Sequence, residues 1–276
     1  MKNRIKDLFK KKKKNILSVF YTAGFPTLQS TIIIGEALEK AGADIIEIGI
    51  PYSDPIADGP TIQDSNKVAL KNGITLALIL SQVKEMRKSV NIPIILMGYV
   101  NPVMQYGVEK FANDASEAGV DGVILPDLPM DAYLTEYKTL FDKLNISNTF
   151  LISPTTSEAR IRKVDAETDG FIYAVAASSI TGARGTFATE QLSYFQKLKD
   201  LKLKNPYLIG FGISNHSTFS TASSYGAGAI IGSAFIDVLQ KSKDVERDVV
   251  AFVRSLREPA AGTLSEGGSS PAVRAH

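Results

Sequence analysis

One acidic side chain sits among isoleucines in the stretch Asp44-Ile45-Ile46-Glu47-Ile48-Gly49-Ile50-Pro51. Alternation along a strand puts Glu47 on the face of Ile45, opposite Ile46 and Ile48. A carboxylate among apolar neighbours is costly without a partner or a task. Burial also raises its pKa toward neutrality, where a carboxyl group exchanges protons well. A rim glutamate paired with a lysine is the plain alternative. Next comes Tyr52-Ser53-Asp54-Pro55-Ile56-Ala57-Asp58-Gly59-Pro60, which holds two aspartates among three prolines when Pro51 is counted. Prolines restrict the backbone, so this loop is expected to hold a shape. Asp58 is then able to face a pocket opposite Glu47. Either aspartate can instead serve only as a turn-making Asx residue.

A second kind of chemistry lies in glycine turns near the C-terminus. The chain reads Gly210-Phe211-Gly212-Ile213-Ser214 and later Gly232-Ser233-Ala234-Phe235, each directly before a helical pattern. Glycines let a backbone approach a ligand closely, and the free amides at a helix start favour an anion. A third glycine-bearing loop is Ser178-Ser179-Ile180-Thr181-Gly182-Ala183-Arg184-Gly185. One such turn alone would only make a tight connection. Two in the last two units point to a phosphate.

These groups need a scaffold that brings distant loops together. Eight short apolar, β-branched runs read as strands: Ile16–Thr22, Asp44–Ile48, Ile94–Met97, Gly122–Leu125, Asn148–Ile152, Gly170–Ala174, Tyr207–Gly210 and Ala229–Gly232. Helical spacing fills the gaps, at Thr31–Lys40, Leu76–Ser89, Val108–Ala118, Asp131–Leu144, Ser157–Glu167, Glu190–Leu201, Ser214–Tyr225 and Ala234–Leu256. Alternating strands and helices imply parallel pairing. Eight units predict closure into an α/β fold of the (β/α)8 (TIM) barrel type, with active loops at the strands' C-terminal ends. An open doubly wound sheet is disfavoured, because no Gly-x-Gly-x-x-Gly follows the first strand. Met1–Lys13 is expected to form an extra helix across the barrel bottom. The domain is therefore expected to span 1–257. The Gly-, Ser-, Pro- and Ala-rich segment 258–276 is expected to be a disordered tail.

Bulk composition excludes several classes. The length of 276 residues suits one such barrel, and 44% hydrophobic with 22% charged residues is an ordinary globular balance. Cysteine is absent and only His216 and His276 are histidines, so no disulfide, His-based triad or multi-histidine metal site can form. Net charge is +2, which gives no reason to expect nucleic acid, and Lys10–Lys14 reads as a solvated helix end. The first residues pair charge with too short an apolar stretch for a signal peptide, and no membrane-length apolar run is expected. A cytoplasmic setting follows as the expectation.

The loop motif also has a known look. Glu47-x-Gly49-x-Pro51-Tyr52-Ser53-Asp54-Pro55-x-Ala57-Asp58-Gly59-Pro60-x-Ile62-Gln63 resembles the signature of the tryptophan synthase alpha chain family. The resemblance continues through Tyr21-Thr22-Ala23-Gly24-x-Pro26, Tyr99-x-Asn101-Pro102, Pro126-Asp127-Leu128-Pro129, Thr181-Gly182 and both late glycine turns. It implies a lyase of tryptophan biosynthesis that cleaves indole-3-glycerol phosphate by a retro-aldol step, giving indole and glyceraldehyde 3-phosphate. Glu47 would be the acid/base that protonates the indole ring carbon. Asp58 would accept the indole N–H, and Tyr173 would line the site. Phe20, Leu96, Leu125 and Phe211 would sandwich the ring. Thr181, Gly182, Gly212, Gly232 and Ser233 would hold substrate around the phosphate. Neither a metal nor an organic cofactor is implied. A lysine Schiff base, the other aldolase route, is disfavoured because no lysine ends a candidate strand.

The resemblance also implies a partner, a beta chain that carries pyridoxal phosphate and receives indole through a tunnel in an alpha2-beta2 heterotetramer. Tyr52, Pro55, Pro102, Met104 and Pro129 would give the docking face apolar anchors. The chain departs from the family at Ala176-Ala177, where many members carry Ser-Arg in a loop that acts as a lid. A non-catalytic subunit that only activates a beta chain is therefore the alternative. A barrel acting on a ribose phosphate would share the late glycines, but not the Glu47–Asp58 motif.

Overall fold

A computed structural model describes residues 3–56, 58–176 and 186–258. The β-branched runs form strands β1 (Ile16–Thr22), β2 (Ile45–Gly49), β3 (Ile94–Met97), β4 (Gly122–Ile124), β5 (Ser147–Asn148), β6 (Leu151–Ile152), β7 (Ile172–Val175), β8 (Tyr207–Gly210) and β9 (Gly228–Ile231). All pairings are parallel, in the order β5-β4-β3-β2-β1-β9-β8-β7-β6. The two ends of that order are halves of one strand. Only Thr149 and Phe150 separate β5 from β6, and both keep the ladder going. Thr149 N donates to Val123 O at 3.0 Å, and Phe150 O accepts from Tyr173 N at 2.9 Å. The sheet therefore closes on itself with eight strand positions, as the sequence predicted.

Strand alternation sorts the core into two layers. Ile16, Ile45, Ile95, Ile124, Tyr173, Leu208 and Ile230 meet inside the barrel. Leu17, Val19, Ile46, Ile48, Ile94, Leu96 and Val123 face the helices. The first helix, Arg4–Lys11, caps the barrel from below. Its Ile5 and Phe9 join the interior cluster, and Phe9 lies 5.6 Å from Phe171 between ring centroids. Asn3 caps this helix, accepting from Ile5 N and Lys6 N, while its Nδ2 reaches Asp121 O, Asn145 O and Ser147 Oγ. The helix expected across the bottom is thus an apolar plug.

Helices Ser30–Ala41, Leu76–Met86, Val108–Ala118, Glu158–Glu167, Thr189–Asp200 and His216–Tyr225 fall where the periodicity put them. Four differences have local causes. Pro60–Lys71 is a helix, opened by Gly59 as N-cap and Pro60 in the first turn. Val100–Tyr106 is another, ended by Gly107 at φ +91. The single helix predicted for Ala234–Leu256 is two, Ser233–Lys241 and Val245–Arg257. Asp244 caps the second by accepting from Arg247 N at 3.1 Å. The Asp131–Leu144 stretch contains a π turn at Tyr133–Tyr137, between α segments Met130–Ala132 and Lys138–Lys143. No helix among the described residues is long and apolar enough to cross a membrane. The tail beyond Glu258 lies outside the described residues.

Candidate active site

Glu47 points into the barrel at the upper end of β2. Its register partners are Phe20 on β1 and Ile95 on β3, so all three share the inner face. The side chain is fully buried. Ser18 Oγ donates to Oε1 at 2.6 Å, while Oε2 has no hydrogen-bond partner among the described residues. Burial pushes the carboxyl up to about 7, and the Ser18 hydrogen bond opposes that rise. An apolar strand environment thus leaves a carboxyl group half protonated near neutral pH.

Asp58 comes to the same pocket from the loop after β2. The loop is held, as its prolines predicted. Asp58 N donates to Pro55 O at 3.1 Å, and Gln63 Nε2 donates to Asp58 O at 2.9 Å. Burial raises the Asp58 carboxyl to about 6, against the Tyr99 hydroxyl, which donates to Oδ2 at 3.3 Å. Tyr99 stacks on Tyr52 with centroids 5.2 Å apart, and Asn101 Nδ2 donates to Tyr52 Oη at 3.2 Å. The Asp127 carboxylate accepts from Val100 N at 2.9 Å. The loops after β2, β3 and β4 therefore form one braced rim.

Tyr173 feels the charge of both acids. It is buried on the inner face of β7. After desolvation, the charges of Glu47 and Asp58 raise its phenol further, which puts both carboxylates within electrostatic reach of it. Gly210, on the neighbouring strand β8, leaves room for its ring, because a Cβ there would overlap the phenol. Gly210→Ala is therefore expected to displace Tyr173 and lower kcat/KM by about 10²-fold. Steady-state kinetics would check this. A variant with unchanged kcat/KM would show that Tyr173 does not need its place.

Aromatic and glycine positions complete the pocket. A Cβ on Gly49 would fall 2.5 Å from Phe20 Cζ, and one on Gly232 would lie 3.4 Å from Phe20 Cδ1. Phe20 thus spans the mouth between β2 and the turn after β9. Phe211 stands 39% exposed above Tyr173, edge to face, with centroids 6.2 Å apart. Phe211 and Gly212 both have left-handed backbones, at φ +70 and +77. Such a conformation is rare for phenylalanine and aims the turn over the pocket. Gly232 precedes the helix Ser233–Lys241, whose first amides have no intrahelical acceptors. Gly232, with exposed Ser233 after it, therefore lies beside Phe20, and Gly212 stands in the turn after the neighbouring strand β8.

Two predicted lining residues do not join this group. Leu96 and Leu125 both pack in the helix-facing layer. The inward places belong to their neighbours, Met97 and Ile124. The β3 register pairs Glu47 with Ile95, so Ile95 and Met97 share its face and Leu96 cannot. Thr181 and Gly182 lie outside the described residues. Of the Ala176-Ala177 departure, Ala176 is buried and still in the ladder. Its N–H donates to Gly210 O at 2.9 Å, and Gln191 Nε2 donates to its carbonyl at 3.1 Å. Ser18 and Tyr99 hold the two acids, and the sequence reading gave neither a role.

The profile of the tryptophan synthase alpha chain family matches residues 6–263. The chain belongs to the tryptophan synthase alpha chain family. The alpha chain of Phocaeicola vulgatus is 50% identical over 256 residues, covering 92% of this chain and 99% of that one. The alpha chain of Flavobacterium johnsoniae is 51% identical over 240 residues, covering 87% and 94%. The solved structure of tryptophan synthase subunit alpha from Legionella pneumophila superposes with a TM-score of 0.83 at 34% identity, covering 93% of this chain and 98% of that one. As a tryptophan synthase alpha chain it is a carbon–carbon lyase, cleaving indole-3-glycerol phosphate to indole and glyceraldehyde 3-phosphate.

Proposed function

We propose that Glu47 and Asp58 divide the chemistry of this lyase between them. The observation that carries the reading is the buried Glu47 carboxyl, raised to about 7, with Oε2 unpartnered among the described residues. In its acid form Glu47 protonates the ring carbon of indole at the bond to be broken. The ring then bears positive charge, and ionised Asp58 accepts the indole N–H and stabilises that charge. The electrons of the breaking bond return to the ring. The glycerol hydroxyl becomes an aldehyde, and its proton goes back to the Glu47 carboxylate. Tyr173, Phe20 and Phe211 hold the ring, with Met97 and Ile124 in place of Leu96 and Leu125. Amides at Gly212, Gly232 and Ser233, with Thr181 and Gly182, receive the phosphate.

The rim is also the face proposed to dock a pyridoxal-phosphate beta chain in an alpha2-beta2 assembly. On the loops of this rim Ile56 is 88% exposed and Met104 57% exposed, apolar groups that water alone would not favour. Operation in the cytoplasm belongs to the same proposal and rests on the family's place in amino-acid biosynthesis. The test is indole release from indole-3-glycerol phosphate, with and without a beta chain, by the wild type and by Asp58→Asn. The asparagine variant is expected to lose about 10²-fold in kcat, since it cannot balance charge on the ring. Wild-type release is expected to rise when the beta chain is added. Full activity in Asp58→Asn would remove Asp58 from the mechanism. Indifference to the beta chain would remove the docking face.

A further inference from the structure

Ser18 and Glu47 are both fully buried on adjacent strands, and their contact is asymmetric. One carboxyl oxygen, Oε1, is tied to the Ser18 hydroxyl at 2.6 Å. The other, Oε2, is buried without a hydrogen-bond partner among the described residues. Leaving a polar atom unsatisfied is costly in a core, and in a pocket a water or a ligand atom relieves that cost. We infer that Ser18 is a positioning residue for the lyase reaction, locking the Glu47 carboxyl so that Oε2 alone exchanges the proton with the substrate. This rests on the proposed acid–base role of Glu47.

The chemistry gives the serine a further part. Before transfer, the proton sits on Oε2 and the carbonyl-like Oε1 accepts from Ser18. Transfer to the ring carbon leaves a carboxylate, so the Ser18 contact becomes a charge-assisted hydrogen bond. That contact is stronger after transfer than before it and therefore favours the transition state over the bound substrate. When the carbon–carbon bond breaks, its electron pair returns to the ring. The proton of the glycerol hydroxyl passes to Oε2, which restores the acid. Ser18 neither gains nor loses a proton. Among the described residues, Phe20 on β1 and Ile95 on β3 pair in register with Glu47, Tyr173 on β7 feels its charge, and Asp58 on the β2 loop acts on the same Tyr173. Of these only Tyr173 and Asp58 titrate. Tyr173 lies well above neutrality, so among these described groups Asp58 is the one that titrates near Glu47's range.

The test is Ser18→Ala beside Glu47→Gln, read as pH profiles of kcat and kcat/KM for indole release. Without the donor, the alkaline limb set by Glu47 is expected to move up by about one pH unit, the worth of a hydrogen bond to a charged group. A fall in kcat of about 10-fold is expected with KM within about twofold, because the contact gains strength only as charge develops. Ser18→Cys, close in volume and a much weaker donor, is expected to shift the limb in the same direction without leaving a cavity. A Ser18→Ala enzyme with an unmoved limb would overturn the inference, and so would a loss of activity explained wholly by unfolded protein. In either case an inactive Glu47→Gln would leave the acid–base reading standing. An active Glu47→Gln would instead remove that reading itself.

Discussion

Replacing Glu47 with Gln is expected to make the chain more stable at pH 8 while lowering indole production about 10³-fold. The activity loss follows from the missing proton, since glutamine keeps the shape and an acceptor for Ser18 but cannot donate to carbon. The stability gain follows from linkage. The unfolded glutamate titrates near 4.5, and the folded one at about 7. Below 4.5 both states hold the proton, so the group adds no pH dependence there. Between 4.5 and 7 the unfolded chain releases a proton that the folded chain keeps, so stability falls as pH rises. Above 7 the full cost of burying the charge applies, about 3 kcal/mol. Glutamine does not titrate, so the variant should gain on the wild type across that window and match it near pH 4. Urea unfolding at pH 4 and pH 8 would measure both ends. Equal gains at both pH values would mean that Glu47 is not forced to ionise in a buried site. The same two groups shape the activity profile. Asp58 must be ionised and titrates at about 6, while Glu47 must be protonated and titrates at about 7. The wild-type kcat/KM should therefore be a narrow bell between those limbs. Asp58→Asn should remove its acidic side.

Why Glu47 was legible while Ser18 was not is a matter of contrast. A charged residue among isoleucines violates the alternation of a buried strand, and such violations mark sites. A serine in Ile16-Leu17-Ser18-Val19-Phe20 violates nothing, because a small hydroxyl is tolerated in a core whenever one partner exists. Only the fold supplies that partner, 29 residues away in sequence. Tyr99 is similar, since its bond to Asp58 spans 41 residues. The placement of Leu96 and Leu125 shows the opposite hazard. Ile94-Ile95-Leu96-Met97 is apolar throughout, so periodicity cannot say which pair faces inward. The register with Glu47 decides it, in favour of Ile95 and Met97. The strand order was readable because βα alternation persists along the whole chain. The break of the fifth strand into β5 and β6 was not, because one short run serves both neighbours. The helix Pro60–Lys71 carried a signal in Gly59-Pro60, but those residues also end the proline-rich loop, and the two readings compete.

The opposite end of the barrel should respond to mutation in the reverse sense. Asp121→Ala is expected to cost about 3–5 kcal/mol and to leave the activity of the folded molecules within about twofold of wild type. Asp121 follows the helix-ending turn Ala118-Gly119-Val120, just before β4, and its side chain is 3% exposed. One carboxylate oxygen accepts from Arg4 Nη1 at 3.0 Å, and the other accepts from Ile94 N at 3.0 Å and from Arg87 Nη2. The residue thereby fastens the plugging helix, the end of the helix Leu76–Met86 and the start of β3 to one point. Arg87 is nearly as buried, and its remaining N–H groups already bind Gly119 O, Val90 O and Ile92 O. Burial pushes its guanidinium down to about 10, with Asp121 opposing that fall. Removing Asp121 leaves this cation desolvated and without its counter-charge, the situation in which breaking a buried pair costs most. At roughly 2–4 °C per kcal/mol for a domain of this size, the melting temperature should fall by about 10 °C. Asp121→Asn separates charge from shape, because it can still accept from Ile94 N. It should recover the part of the loss due to that hydrogen bond and not the part due to the cation. Calorimetry on the three proteins, with indole release assayed well below each melting point, would decide the matter. A collapse of kcat in folded Asp121→Ala would show that the bottom of the barrel sets the geometry of Glu47 and Asp58. Retained kcat with a lowered melting temperature would show that the two ends do separate work, the lower one holding the chain closed while the upper one moves protons.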